Sequence, residues 1–136
     1  MNISTISRPR IHFTQEHEWI DFNGTVGFVG LSMFRLAGIK KIDNIEWVNN
    51  KGTIEKNTLI ANIHSGSTVI PLHSPLRCKF LGINAKLKTN LNLILESPQD
   101  QGWIFFVTPM KFQNKDKEEL LQPADYQKLI RSIKVS

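Results

Sequence analysis

The densest group of side chains able to do chemistry is His64-Ser65-Gly66-Ser67-Thr68, followed at His73 by a second imidazole. A serine hydroxyl becomes a nucleophile only beside a base, and two histidines hold a metal only with further ligands. Leu59–Ile63 and Val69–His73 read as two strands joined at this segment. With a two-residue turn, His64 and His73 would share a sheet face as diagonal neighbours, roughly 7–8 Å apart. That spacing would suit a metal or the activation of Ser65 or Ser67. No carboxylate lies nearby in sequence, and Cys78 is the only thiol of the chain. The spacing shows neither an orienting group nor an oxyanion hole. Serine can accept phosphate or phosphopantetheine, but the Asp-Ser-Leu helix start usual for the latter is absent. Gly66 reaches the positive φ that a tight turn needs, and Ser65, Ser67 and Thr68 are common turn residues. The expectation is an exposed turn, with no catalytic residue and no metal ligand.

Many short strands must position this turn. Glu18–Phe22 and Thr25–Val29 flank Asn23-Gly24, a strong hairpin pattern. Ser32 is placed to cap a helix over Met33–Ile39, with Gly38 suggesting an early end. Ile42–Val48 reads as a strand with broken alternation. Pro71 has no backbone donor, so its strand should be an edge or bulged. Arg77–Ile83 reads as a strand and Ala85–Thr89 as a helical turn. Trp103–Val107 has the apolar character of a buried strand, closed by Pro109. Lys115–Leu121 reads as helical, and Pro123 suits the first position of a helix over Ala124–Ile133. The result is a compact, mainly β core with peripheral helices. Trp19, Phe28, Phe80, Trp103 and Phe105 occupy core-like positions.

The chain has 136 residues, 40% hydrophobic and 21% charged, values ordinary for one globular domain with a real core. The lone Cys78 allows no intrachain disulfide and favours a reducing compartment, the cytoplasm. No apolar run approaches membrane-spanning length. The basic stretch Met1–Arg10 lacks the apolar core of a secretory signal, and residues 1–12 read as an extension before a single domain over 13–136. The formal charge is +5 and the pI about 9.5. Between Glu55 and Glu96 there is no acidic residue, while Lys56, Arg77, Lys79, Lys86 and Lys88 fall within that span. Nucleic-acid binding would need clustered cations with exposed aromatics on one face, and the core-like aromatics argue against it.

Several segments, in order and at matching spacing, resemble the glycine cleavage system H protein family. Phe13-Thr14-Gln15-Glu16-His17-Glu18-Trp19 is similar to its Tyr-Thr-x-Glu-His-Glu-Trp opening, and Val29-Gly30-Leu31-Ser32 to its Val-Gly-Ile-Thr. Leu72-His73-Ser74-Pro75 resembles its Ile-Tyr-Ser-Pro. Asn84, Leu87, Leu93, Pro98, Gly102 and Trp103 fall on the family's spacing, and Leu120-Leu121 with Tyr126 and Leu129 resembles its ending. The resemblance covers Phe13 to Arg131 and implies a barrel-sandwich hybrid, the lipoyl-domain-like fold, with the central hairpin projecting at one end.

In that family the hairpin carries Glu-Ser-x-Lys, and lipoate is attached to the lysine. Counting back from Pro75 without a gap puts His64 on the glutamate, Ser65 on the serine and Ser67 on the lysine. A lipoyl amide needs a lysine nitrogen, so lipoate is the family's cofactor but is not expected on Ser67. Lys56 and Lys79 are too far along the chain for a shifted register to replace it. Ile39-Lys40-Lys41 and Val48-Asn49-Asn50-Lys51-Gly52 also depart from the family's Leu-Gly-Asp and Leu-Pro-x-x-Gly. The resemblance implies glycine decarboxylase, aminomethyltransferase, dihydrolipoyl dehydrogenase and lipoate-attaching enzymes as partners. The expected function is a non-catalytic, lipoylation-incompetent binding, scaffold or regulatory protein. The alternative is a reassigned scaffold whose basic hairpin face binds an unrelated acidic protein or nucleic acid.

Overall fold

The computed structural model describes residues 11–110 and 120–135. Among the described residues, nine strands form two antiparallel sheets. β1 (Ile11–Phe13), β2 (Glu18–Asn23), β3 (Val26–Leu31), β5 (Thr53–Ile54), β8 (Cys78–Ile83) and β9 (Phe105–Pro109) make a six-stranded sheet in the order β1-β2-β3-β9-β8-β5. β4 (Asn44–Trp47), β6 (Leu59–Ser65) and β7 (Thr68–His73) make a three-stranded sheet with β6 in the middle. The expected strand at Trp103–Val107 begins later, at Phe105, and lies between β3 and β8 as its apolar run requires. The mainly β, lipoyl-domain-like expectation is met.

Alternation along the strands builds the core. Ile60, Ile63, Ile70 and Leu72 of the small sheet are fully buried against Ile20, Val29, Leu31, Phe105 and Val107 of the large one. Burying such side chains is worth about 1.5–3 kcal/mol each. A second cluster forms on the outer face of β1 and β2, where Ile11, Phe13 and Trp19 receive Tyr126 and Ile130 of the C-terminal helix. That helix, α3 (Pro123–Val135), starts at the proline as expected. Phe28 and Trp103 are only half-buried and pack edge-to-face, with Phe106 beside them, so the core assignment for those two is corrected. Both pack against the second cluster instead, as its partly buried margin.

The two short helical elements expected before the C-terminal helix are shorter than their sequence spans. α1 covers Met33–Leu36 and stops before Gly38, at φ +86°. Ser32 caps it, accepting from the Arg35 amide at 3.2 Å. A 3-10 turn occupies Ala85–Lys88, and α2 (Leu93–Glu96) had no counterpart in the periodicity. Of the helix expected over Lys115–Leu121, residues 115–119 lie outside the described residues; Leu121 pairs with Phe13 as an isolated bridge instead.

Pro71 sits on an edge strand, as its missing donor demands, because β7 has only β6 as a neighbour. Pro71 itself pairs with Asn62 in regular register, and the shift between Leu59 and Ala61 lies further down the hairpin, opposite Leu72 and His73.

Candidate functional site

The β6–β7 hairpin ends in a two-residue turn. Ser65 pairs with Thr68, and Gly66 and Ser67 form the tip. Gly66 has φ +59° while Ser67 stays at negative φ, the pattern of a turn with glycine in its first central position. Gly66, Ser67, Thr68 and Val69 are all exposed. The Ser67 hydroxyl has no hydrogen-bond partner among the described residues.

β4 flanks the hairpin and brings it two carboxylates. Asn44 pairs with His64, and the Asp43 amide donates to the His64 carbonyl at 2.8 Å. The Asp43 carboxylate in turn accepts from the Gly66 amide at 2.6 Å. Lys41 stands 4.0 Å from its other oxygen. Farther along, His64 Nε2 lies 2.9 Å from Glu46 Oε1. The hydrogen bond from His64 holds the Glu46 carboxyl below the usual carboxylate range.

The base of the hairpin is tied to the large sheet. The Glu18 side chain is 1% exposed, and its Oε2 accepts from the His73 amide at 2.6 Å and meets His73 Nδ1 at 2.9 Å. Thr14 Oγ1 donates to Glu18 Oε1 at 3.0 Å. Burial pushes the Glu18 carboxyl above its ordinary pKa, against the hydrogen bonds from His73 and Thr14, which pull it down. Next along the chain, the Ser74 hydroxyl donates to the Leu76 carbonyl at 2.6 Å. Burial also pushes the Cys78 thiol up, so it is a packed apolar group and not a nucleophile.

This geometry corrects one expectation about the histidines. His64 is opposite Val69 and His73 is opposite Leu59, so the two lie far apart along the hairpin and are not diagonal neighbours. Register is counted from the tip, and the shift at Leu59/Ala61 displaces His73 one residue further. Each imidazole is held by its own glutamate, and among the described residues neither is hydrogen-bonded to the side chain of Ser65, Ser67 or Thr68. A nucleophilic serine needs such a contact.

The charge expectation is corrected too. Arg77 is bonded to Glu55 at 2.9 Å, Lys79 lies on β8 of the large sheet, and Lys86 and Lys88 lie in the 3-10 turn that follows it. The hairpin end carries Asp43 and Glu46 instead, contributed by β4. Both carboxylates escaped the sequence reading because they precede the hairpin by some twenty residues and reach it only through strand pairing. Glu18 was legible as part of a motif, but nothing local showed that it binds His73.

A mainly β barrel-sandwich hybrid with a protruding two-residue hairpin tip defines the lipoyl-domain-like class, whose members present one side chain at that tip. The glycine cleavage H-protein model matches residues 11–133, and the chain belongs to that family. It is 26% identical over 120 residues to a glycine cleavage system H protein of Anoxybacillus flavithermus, covering 88% of this chain and 93% of that one. It is 28% identical over 123 residues to a probable glycine cleavage system H protein 1 of Sulfolobus acidocaldarius, covering 90% of this chain and 86% of that one. The crystal structure of an H protein from Mycobacterium marinum superposes with a TM-score of 0.72 over 87% of this chain and 94% of that one, at 21% identity, a likeness of fold. The family carries lipoate, is not itself catalytic and works with the glycine cleavage enzymes. Among the described residues, no helix is long and apolar enough to cross a membrane.

Proposed function

We propose that this chain is an H-protein relative that cannot receive lipoate and acts as a cytoplasmic binding, scaffold or regulatory partner of the glycine cleavage enzymes rather than as an aminomethyl carrier. The observation that carries the reading is the tip itself. The exposed position of the two-residue turn is Ser67, and the hairpin from Leu59 to His73 contains no lysine. A lipoyl group is held as an amide on a lysine nitrogen. A serine hydroxyl offers an ester at best, on a side chain with one short rotatable bond and, among the described residues, no base hydrogen-bonded to it. The rest of the hairpin end is built: Asp43 fixes the turn, and Glu18 anchors its base.

A retained frame with an altered tip supports docking without cargo. Beside the hairpin base, an open cleft of ≈ 450 Å³ is lined by Thr14, Gln15, Glu16, Asn57 and Pro75, among others. With Leu120 and Leu121 on its lining as well, it offers a partner a mixed polar and apolar recess next to the tied end of the hairpin. Cytoplasmic residence rests on the lone, buried Cys78, a thiol usage suited to a reducing compartment.

The test is intact-mass analysis of the chain after co-expression with a lipoate-attaching enzyme and an ordinary H protein as positive control, followed by capture of partners. The expected result is an unmodified chain that retains the decarboxylase or the aminomethyltransferase. A mass increase of one lipoyl group would overturn the reading, as would failure to bind any glycine cleavage enzyme.

A further inference from the structure

The large sheet is unfinished at one edge. β5 contributes only Thr53 and Ile54, paired with Lys79 and Cys78, and the Gly52 carbonyl adds one bond from the Phe80 amide at 2.9 Å. β8 continues to Ile83. Over Leu81–Ile83 it has β9 on one side and, among the described residues, no strand on the other. The β8–β9 register shifts between Phe80 and Gly82, and the extra residue there, Leu81, is 41% exposed. Along this stretch runs an open groove of ≈ 470 Å³, walled by Asn50, Lys51 and Gly52 on one side and by Ala85 and Lys88 on the other. Lys51 and Lys88 are exposed, and no carboxylate lines the groove.

We infer that this edge docks an extended acidic peptide segment of a partner protein, which adds as a strand beside Leu81–Ile83. An open edge supplies backbone groups that another extended chain can pair, and side-chain pockets then set the preference. Here the preference is set by sign. A lysine at each wall favours carboxylates on the incoming strand, and Leu81 supplies apolar contact between them. Charge at such a rim governs encounter and partner choice. A single-stranded nucleic acid fits less well, because base stacking needs exposed rings. The groove's only ring, Phe80, is 9% exposed and stacks inward on Phe105, with centroids 5.5 Å apart. The surface lies in the large sheet and does not depend on the chemistry of Ser67.

The rival account is that lysines and a bulge simply defend the edge against pairing. Amide shifts of the full-length, isotope-labelled chain separate the two. The probe is a blocked peptide of alternating glutamate and valine. Its controls are the lysine–valine counterpart, a version N-methylated on the valines, and oligothymidylate. Docking predicts shifts at Gly52, Leu81, Gly82 and Ile83 with the glutamate peptide only. Affinity should fall about tenfold in Lys51→Glu or Lys88→Glu, and it should fall again with added salt. Both side chains are exposed, and circular dichroism verifies that the variants fold. The inference is overturned by silent edge amides, by an equal response to the lysine peptide, by undiminished binding after N-methylation, or by tighter binding of oligothymidylate at the same amides.

Discussion

Ser67 and Glu18 mark the two ends of the hairpin, and each invites a single substitution. Ser67 occupies an exposed turn position with negative φ, which any L-residue adopts without strain. Ser67→Lys should therefore fold normally and place an amine at the exposed tip of the hairpin. We expect the variant to gain a lipoyl mass on incubation with a lipoate-attaching enzyme, while the native chain stays unmodified. If the variant also stays unmodified, the enzyme is reading residues other than the lysine, with His64 and Asp43 the first candidates. For Glu18, burial makes the fold hold the proton more tightly than the unfolded chain does. Its contribution is then fully present below the unfolded carboxylate pKa and lost as pH rises through the folded value. Glu18→Gln removes that loss and keeps an oxygen for the His73 amide. Thermal midpoints measured between about pH 4 and pH 8 should thus show the native chain weakening relative to the variant as pH rises. A difference running the opposite way would mean that the bonds from His73 and Thr14 outweigh desolvation.

At the level of elements, the hairpin depends on its neighbour. β4 covers β6 up to His64 and then hands Asp43 to the turn, so the tip is braced from the side. An exposed hydrogen bond of this kind contributes about 1 kcal/mol. Asp43→Ala should leave global stability within that amount of the native value and selectively speed hydrogen exchange at the Gly66 amide. Unchanged exchange there would show that glycine at φ +59° holds the turn unaided. The outlines of these elements were legible in the sequence. Asn23-Gly24 marked a hairpin, although the turn residues are Gly24 and Thr25, one position later, because Asn23 still pairs with Val26. Pro71 announced an edge strand. The short β1 and β5 went unread, since two or three residues carry no periodicity to detect.

For the whole molecule, the C-terminal helix closes the fold onto its beginning. Tyr126 stacks on Phe13 with centroids 4.1 Å apart, and its hydroxyl lies 2.6 Å from Ser32 Oγ and 2.9 Å from His17 Nδ1. One side chain thereby links α3, the cap of α1 and the β1–β2 turn. His17 sits at φ +70° in that turn, and burial with Arg35 nearby lowers its pKa. Tyr126→Phe keeps the stacking and deletes the hydroxyl, at an expected cost of about 1 kcal/mol from the lost network. Urea midpoints at constant slope would register it. No shift would mean that apolar contact alone seats the helix.

Residue types and their order were enough to determine the mainly β class, the hairpin and the edge-or-bulge constraint on the strand of Pro71. These are local or periodic properties, set by which side chains fit a turn, a pleat or a helix start. Only the tertiary structure decided what surrounds the tip. It paired His64 with Glu46 and His73 with Glu18, placed Asp43 beneath Gly66, and put Lys79 on the other sheet with Lys86 and Lys88 in the turn after it. Such contacts join strands distant in sequence, and their partners are chosen by sheet register. Register is a collective outcome of burying Ile60, Ile63, Ile70 and Leu72 together, and no short stretch of sequence encodes it.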